Sequence, residues 1–230
     1  MIEAGVKIGA DSRIGNHVTV ESGTTIGENV IIYHGSSIGA PPQDLKYDGE
    51  STELKIGDNV VVREYCTINR GTRAHGVTEL GAGCLLMAYV HIAHDCIVGE
   101  NVIFANQATL GGHVQIDDWA SLGGGVLVHQ FCRIGAHAFI GGGFRVVQDV
   151  PPFILAAGEP LRFAGINTIG LKRRGFDSDR LQPIKRAMRQ YFRSSDGRTR
   201  ALAKLKSNGS NTSDVNQLID FIETSERGII

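Results

Sequence analysis

Tyr89-Val90-His91-Ile92-Ala93-His94-Asp95-Cys96-Ile97-Val98-Gly99 sets two aliphatic residues, Ile92 and Val98, six positions apart, and the spacing continues on both sides. Leu80 and Leu86 precede them in the same frame; Phe104, Leu110, Ile116, Leu122, Val128, Ile134, Ile140 and Val146 follow. A helix of about 3.6 residues per turn would rotate such a row off its face, and a simple strand would need apolar residues at every second position. Short strands joined by tight turns satisfy the period. Two histidines and an aspartate interrupt the stretch without breaking its frame, so the chemistry is expected here.

Working outward, Ile2, Ile8, Ile14, Val20, Ile26, Ile32 and Ile38 keep the frame from the start of the chain. Ile56, Val62 and Ile68 resume it in phase after an insert at 40–55, and a second interruption at 69–79 also leaves the phase intact. Gly9, Gly15, Gly27 and Gly39 directly follow the aliphatic residue and read as turn glycines that supply a positive φ. Three hexads per turn predict a triangular coil, with neighbouring coils about 4.8 Å apart as parallel ladders. The frame side chains then fill the axis of a prism, where a polar residue at Ile116 or Leu122 would be severe.

The repeat stops at Val150-Pro151-Pro152, because consecutive prolines supply no ladder donors. The reading is therefore a mainly β coil of hexapeptide repeats over 1–150, with inserted loops at 40–55 and 69–79, and a small α-helical domain over 151–230. Asp177 or Ser178 is placed to cap a helix through Leu181, Ile184, Met188 and Tyr191. Leu202 and Leu205 suggest a second helix, and Val215, Leu218, Ile219 and Ile222 a third. Gly175, Gly197 and the stretch Ser207 to Ser210 mark the breaks.

The composition suits this plan. At 230 residues and 42% hydrophobic content the chain can build a core, and its 30 glycines point to a turn-rich repeat. A net charge of −1 gives no general reason to bind nucleic acid, although basic residues cluster late at Lys172, Arg173, Arg174, Lys185, Arg186 and Arg189. Cys66, Cys84, Cys96 and Cys132 share one place in the hexad, so they read as small packing residues and not as a disulfide or zinc framework. No signal peptide and no transmembrane segment is recognised, which predicts a cytoplasmic protein.

Positions eighteen apart should lie above one another. His94 then stacks with Gly112 and Gln130, Asp95 with His113, and His129 lies beside Gln130; Gly112 over His94 is expected to leave an open pocket. Three readings fit these residues: polar side chains at prism corners, three imidazoles around a zinc ion, or a dyad in which Asp95 orients a histidine that removes a proton from a hydroxyl or amine. The adjacent carboxylate favours the dyad, with no metal and no cofactor.

Six segments carry a family resemblance: Gln43-Asp44-Leu45-Lys46-Tyr47, Arg70-Gly71-Thr72, His91-Ile92-Ala93-His94-Asp95-Cys96, Val128-His129-Gln130-Phe131, Gln148-Asp149-Val150-Pro151-Pro152 and Gly170-Leu171-Lys172-Arg173-Arg174-Gly175-Phe176. Together with the hexads they resemble the UDP-N-acetylglucosamine acyltransferase family of lipid A biosynthesis, whose members fold as a left-handed parallel β-helix. The resemblance implies an enzyme that transfers an R-3-hydroxyacyl chain from acyl carrier protein to the 3-hydroxyl of UDP-N-acetylglucosamine, working as a homotrimer. It implies His94 as general base, Asp95 as its partner and the Gly124 N–H as the donor that polarises the thioester. Gln43, Asp44, Lys46, Asn69, Met87, His91, His113 and Gln130 would hold the sugar or the pantetheine arm. His129, Asn167, Arg173 and Arg174 would hold the nucleotide or its phosphates, and Gly142 would set acyl length. Asn69 stands where better-known members have histidine, and Ile169 where they often have an acidic residue. Acylation of a 3-amino sugar nucleotide, or a coenzyme A donor, are the alternatives.

Overall fold

The computed structural model describes every residue except 196 and 210, and the expected break at Ser210 therefore lies outside the described residues. Short parallel strands form three sheets of seven, nine and seven strands that make the walls of a prism. Coil-to-coil register follows the frame: Val98 pairs with Ile116 and Ile116 with Ile134, each eighteen residues on. Ile26 pairs with Ile56 and Ile56 with Leu80. Those separations exceed eighteen by twelve and by six residues, so the two inserts add whole hexads and the phase survives.

The prism interior is aliphatic. Ile26, Ile32, Ile38, Ile68, Leu86, Ile92, Phe104, Leu110, Ile116 and Leu122 are fully buried. Each buried methylene contributes about 0.8 kcal/mol, and every coil covers the apolar ends of the next. The four cysteines are free and buried. Burial pushes the Cys66, Cys84 and Cys132 thiols up to about 11 and Cys96 to about 12, which keeps them inert.

The glycines act differently from the sequence reading. Left-handed backbone recurs every sixth residue at the third position after the aliphatic one, and most of its occupants are not glycine: Asn59, Tyr89, Asp95, Asn101, Gln107, His113, Trp119, Phe131 and His137 all have φ near +60°. Gly9, Gly15 and Gly27, expected to supply that conformation, are absent from it, and of the four only Gly39 has positive φ. Their role is close approach. A Cβ on Gly9 would lie 2.5 Å from the Gly27 carbonyl, and one on Gly81 would lie 2.5 Å from that of Gly99. Backbone meets backbone at that edge of the prism, and no side chain fits between.

Strand pairing continues past the prolines at which the coil was expected to end. Ile154–Ala157 adds to the second sheet by pairing with Phe139–Ile140, and Arg162–Ile166 returns antiparallel to it. Ile140 meets Ala156 only sixteen residues on, since Pro152 packs tightly over Gly135 and shortens the turn. Four helices follow: α1 (Thr168–Arg173), α2 (Ser178–Phe192), α3 (Arg198–Lys206) and α4 (Ser213–Glu223). Asp177 caps α2, its side chain accepting from the Arg180 N–H, and α1 is an element with no counterpart in the sequence reading. Among the described residues, no helix is long and apolar enough to cross a membrane.

Gly81→Ala should lower unfolding stability by about 1–3 kcal/mol, as overpacking against unyielding backbone does. Gln107→Gly, at a left-handed corner, should change it by less than about 1 kcal/mol. Chemical denaturation of the two variants beside the parent checks this ordering, and a Gly81→Ala variant as stable as the parent would remove the close-approach role.

Candidate active site

His91–Ile92 is a strand of the third sheet, and the chain turns the prism corner at Ala93-His94-Asp95 before Ile97–Val98 enters the first sheet. Asp95 takes the left-handed corner position at φ 58° and is buried. Its N–H donates to Thr78 Oγ1 at 2.8 Å. Its carboxylate accepts from the Thr72 N–H at 2.9 Å, from Thr72 Oγ1 at 2.6 Å and from His94 Nδ1 at 2.8 Å. Burial raises the Asp95 carboxyl, but the Thr72 and His94 hydrogen bonds outweigh it and hold the group below its ordinary range. An ionised Asp95 fixes the proton of His94 on Nδ1, which leaves Nε2 with a free lone pair for base catalysis.

His113 is one coil on from Asp95. Its Nε2 is 3.6 Å from Asp95 Oδ2, its ring meets His94 edge-on at 5.1 Å between centroids, and Phe131 stacks on its other side at 4.5 Å. Burial keeps His113 and His91 below the usual imidazole range, and His91 Nδ1 sits 2.7 Å from Thr67 Oγ1. Beside this corner lies a cavity of about 390 Å³ lined by His75, Asp95, Ile97, His113, Gln115, Phe131 and Arg133, with Asp149, Thr224 and Glu226 on its far wall. The ligand atoms of His94, Asp95 and His113 lie within 4.8 Å of one another, close enough to share a metal ion. Asp95 Oδ2 already serves the Thr72 hydroxyl and His94, which is the arrangement of an orienting carboxylate.

Several expected placements change. Gly112 does lie against His94, but not as an open pocket: a Cβ there would be 2.5 Å from His94 Cε1 and 2.7 Å from Nε2, so the imidazole itself fills the space. Gly124 is not beside the dyad within the chain. It stacks between Asn106 and Gly142 on a different corner, where Gly125 N donates to Asn106 O and Gly143 N to Gly124 O. Among the described residues the Gly112 N–H has no backbone acceptor, while its carbonyl accepts from Phe131 N.

The remaining candidates divide by location. Asp44 belongs to a turn in the first insert, accepting from Lys46 N at 3.0 Å, and its charge acts on His113; Gln43 and Lys46 are exposed beside it. Asn69 is buried and donates to the Ala40 and Pro41 carbonyls, with Oδ1 unpartnered. Met87 is half-buried on its strand end, and Gln130 is exposed one coil on from Gly112. His129 is exposed and meets Gln130 O and Arg227, not the His94–His113 pair. Asn167 caps α1 and donates to His137 O at 2.9 Å. Arg174 lies over the Trp119 ring and 3.3 Å from His137 Nδ1, on the third corner; Arg173 is exposed nearby. Sequence reasoning missed Thr72 as a partner of Asp95, although the Arg70-Gly71-Thr72 segment was the available signal. It also missed the C-terminal residues on the cavity wall.

Comparison with known proteins agrees in every part of the chain. Residues 149–230 match the model described as Udp N-acetylglucosamine O-acyltransferase, Domain 2, and residues 5–40 and 78–112 match the bacterial transferase hexapeptide model. An acyl-[acyl-carrier-protein]--UDP-N-acetylglucosamine O-acyltransferase of Herminiimonas arsenicoxydans is 53% identical over 100% of this chain and 94% of its own length. One of Thiobacillus denitrificans is 49% identical over 86% of this chain and 78% of its own. The solved UDP-N-acetylglucosamine acyltransferase of Francisella novicida superposes with a TM-score of 0.96 at 39% identity, covering 100% of this chain and 85% of that one. That of Bacteroides fragilis gives 0.90 at 38%, covering 100% and 97%.

Thr72→Val removes the shortest donor to Asp95 and should cost about 1.5–3 kcal/mol at neutral pH, the range for a hydrogen bond to a charged group. Asp95 has a depressed folded-state pKa, so the stability it contributes is present above the ordinary carboxylate range and is lost as pH falls through the folded value. The gap between parent and Thr72→Val should therefore close in acid. Melting curves between neutral pH and about pH 3 measure it, and a gap independent of pH would show that Thr72 acts by packing alone.

Proposed function

The chain belongs to the UDP-N-acetylglucosamine O-acyltransferase family, and from that premise we propose how its corner residues carry out the transfer. The fold is a left-handed parallel β-helix with C-terminal helices, and the enzyme moves an acyl chain from acyl carrier protein to UDP-N-acetylglucosamine, the first step of lipid A biosynthesis. The relatives' names give an oxygen acceptor and a carrier-protein donor, in place of an amino acceptor or coenzyme A.

The observation that carries the mechanism is the 2.8 Å contact between His94 Nδ1 and a buried, multiply hydrogen-bonded Asp95. His94 Nε2 takes the proton of the sugar 3-hydroxyl as its oxygen attacks the carbonyl of an R-3-hydroxyacyl thioester. The tetrahedral oxyanion collapses, the C–S bond breaks, and the leaving thiolate receives the proton from His94. Asp95 keeps the imidazole oriented and stabilises its charged form. The Gly112 N–H, beside His94 and free of a backbone acceptor, is better placed within one chain to polarise the carbonyl than the Gly124 N–H. His113 and His91, held neutral by burial, serve as polar contacts to the sugar or pantetheine arm.

The outer face of the second sheet supports a homotrimer. Its outward residues are Arg13, Ile31, Val61, Leu85, Ile103, Ser121, Phe139 and Leu155, mostly apolar, whereas the first sheet turns Lys7, Thr25, Lys55, Glu79, Ile97, Gln115 and Arg133 outward, mostly polar. An apolar sheet face of that length is best covered by another copy. Packing of neighbouring prisms would bring Asn167, Arg173 and Arg174 of one chain towards the dyad of the next, where arginine forks suit phosphate.

The direct test incubates purified protein with UDP-N-acetylglucosamine and 3-hydroxyacyl carrier proteins of several chain lengths, with products identified by mass. His94→Ala should lose about 10² to 10⁴ of the rate while keeping its fold and oligomeric state, its melting temperature lowered only by the loss of one hydrogen bond to Asp95, because the side chain lies outside the aliphatic axis. Full activity in that variant would remove His94 from the mechanism.

Acyl length is assigned to Gly142. A Cβ there would meet only the backbone of the preceding coil, with Gly124 O at 3.0 Å, Gly124 N at 3.4 Å and Gly123 C at 3.8 Å, so a longer side chain must project away from that backbone, into the proposed acyl groove. Gly142→Met should shift the preference towards shorter chains by roughly fourfold per methylene excluded, from about 0.8 kcal/mol each, and leave KM for the sugar nucleotide unchanged. An unaltered chain-length profile would place the limit elsewhere.

A further inference from the structure

We propose that the C-terminal tail is a working part of the substrate site, and that its Arg227 is a positioning residue that fixes His129 to donate to an anionic oxygen of the nucleotide sugar. After α4 the chain turns back onto the end of the coil. Asp149 N donates to Gly228 O at 2.8 Å, and Ile230 N donates to Asp149 O at 3.2 Å. The Asp149 side chain is fully buried, accepting from Ser225 Oγ at 2.7 Å and from Arg133 N at 2.8 Å. Arg133 in turn donates to Thr224 O and Oγ1, and Arg198 to Ile229 O at 2.6 Å, while Ile229 and Ile230 are themselves buried. The end of the chain is thus held at Thr224, Ser225, Gly228, Ile229 and Ile230 by bonds to residues far earlier in the sequence.

That anchoring has two results at the site. Thr224 and Glu226 become the far wall of the cavity that Asp95 and His113 enter. Arg227 Nη2 comes to 3.2 Å from His129 Nδ1. A guanidinium only donates and does not lose its proton, so the neighbouring imidazole nitrogen must be the acceptor. Gln130 O, 3.1 Å from the same Nδ1, could be served only by a proton there, which would face the cation. The proton of neutral His129 is therefore on Nε2, turned away from Arg227. His129 is exposed and adjoins Gln130, the next stacked position after His94 and Gly112. A fixed N–H donor backed by a permanent cation matches an oxygen of a diphosphate. The side chain of Arg227 takes no part in the Asp149 anchor; it also bonds the Cys132 thiol at the end of the coil, and when it is changed the tail keeps its bonds to Asp149.

This inference rests on the reading of the site as one that binds UDP-N-acetylglucosamine. Binding of that compound by calorimetry, together with kcat and KM, would be measured for the full chain and for Arg227→Met, Arg227→Lys, His129→Ala and Arg227→Met/His129→Ala. Arg227→Met should raise Kd and KM about tenfold, with kcat within about twofold and melting unchanged. Arg227→Lys, which keeps a donor and a charge, should recover part of the affinity and serves in place of the first variant if that one is unstable. In the His129→Ala background the Arg227→Met change should add less than about twofold. Parent-like binding by Arg227→Met beside a weakened His129→Ala would overturn the role of the tail, and equal effects of Arg227→Met in both backgrounds would overturn its action through His129. No binding by the parent chain would overturn the premise itself, and the inference with it.

Discussion

Backbone hydrogen bonds from each coil to the next, repeated at the same place in every turn, hold the chain to its plan: Gly81 N donates to Val98 O at 2.8 Å, Gly99 N to Ile116 O at 2.7 Å, Gly123 N to Ile140 O at 2.8 Å. These bonds fix the coil spacing near that of any parallel ladder, about 4.8 Å. At that spacing the residue after the aliphatic position has no room for a Cβ wherever its backbone lies against the next coil's, which accounts for Gly81, Gly99, Gly111, Gly123 and Gly135, while Tyr33, Met87 and His129 carry side chains at the same place in other hexads. Three residues after the aliphatic position the chain must turn through left-handed backbone, and it does so with asparagine, aromatic or histidine side chains as readily as with glycine. An insert is tolerated only if it returns the strand to the same ladder, and both inserts here do.

The same constraint makes a reactive corner from ordinary parts. A left-handed corner residue stands over its equivalent one coil away, so Asp95 faces His113 and His113 faces Phe131 without any loop being shaped for the purpose. The repeat does not supply a partner for the carboxylate, however. That comes from the second insert and the strand that ends it: Thr72 binds both carboxylate oxygens and Thr78 takes the Asp95 N–H. The insert therefore keeps Asp95 ionised against the effect of burial, and Asp95 sets the tautomer of His94.

What could be read from the sequence was whatever the eighteen-residue map preserves. The aliphatic axis, the buried cysteines, the pairing of Asp95 with His113 and the contact of Gly112 with His94 all follow from it. The map fails where the chain departs from it. Thr72 precedes Asp95 by twenty-three residues because the insert lies between them, and Arg227 meets His129 across ninety-eight residues through a tail that pairs with Asp149. Nor does spacing say why a glycine is needed. Gly9 and Gly27 were read as left-handed turns, whereas the structure requires them for close approach, and Gly112 accommodates an imidazole instead of a void. Asn167 was read as a ligand and is also a helix cap, because a polar side chain next to a helix start satisfies the first N–H groups.

The distribution of charge explains why one prism is not a complete enzyme in this reading. The dyad occupies the corner between the third and first sheets, while Arg174 sits with His137 and Trp119 at the corner between the first and second. Burial and the adjacent Arg174 push the His137 imidazole down to about 4, so it stays neutral and can accept from the guanidinium. An arginine held in that way cannot reach round the prism to a substrate at its own dyad. It can serve the dyad of a neighbouring chain, and the apolar face of the second sheet adjoins the corner that carries it. On the proposed reading, burying that face against a second copy would bring Arg173 and Arg174 of one chain and His94 of the next to the same cleft, so an interaction that assembles a trimer would also complete the site.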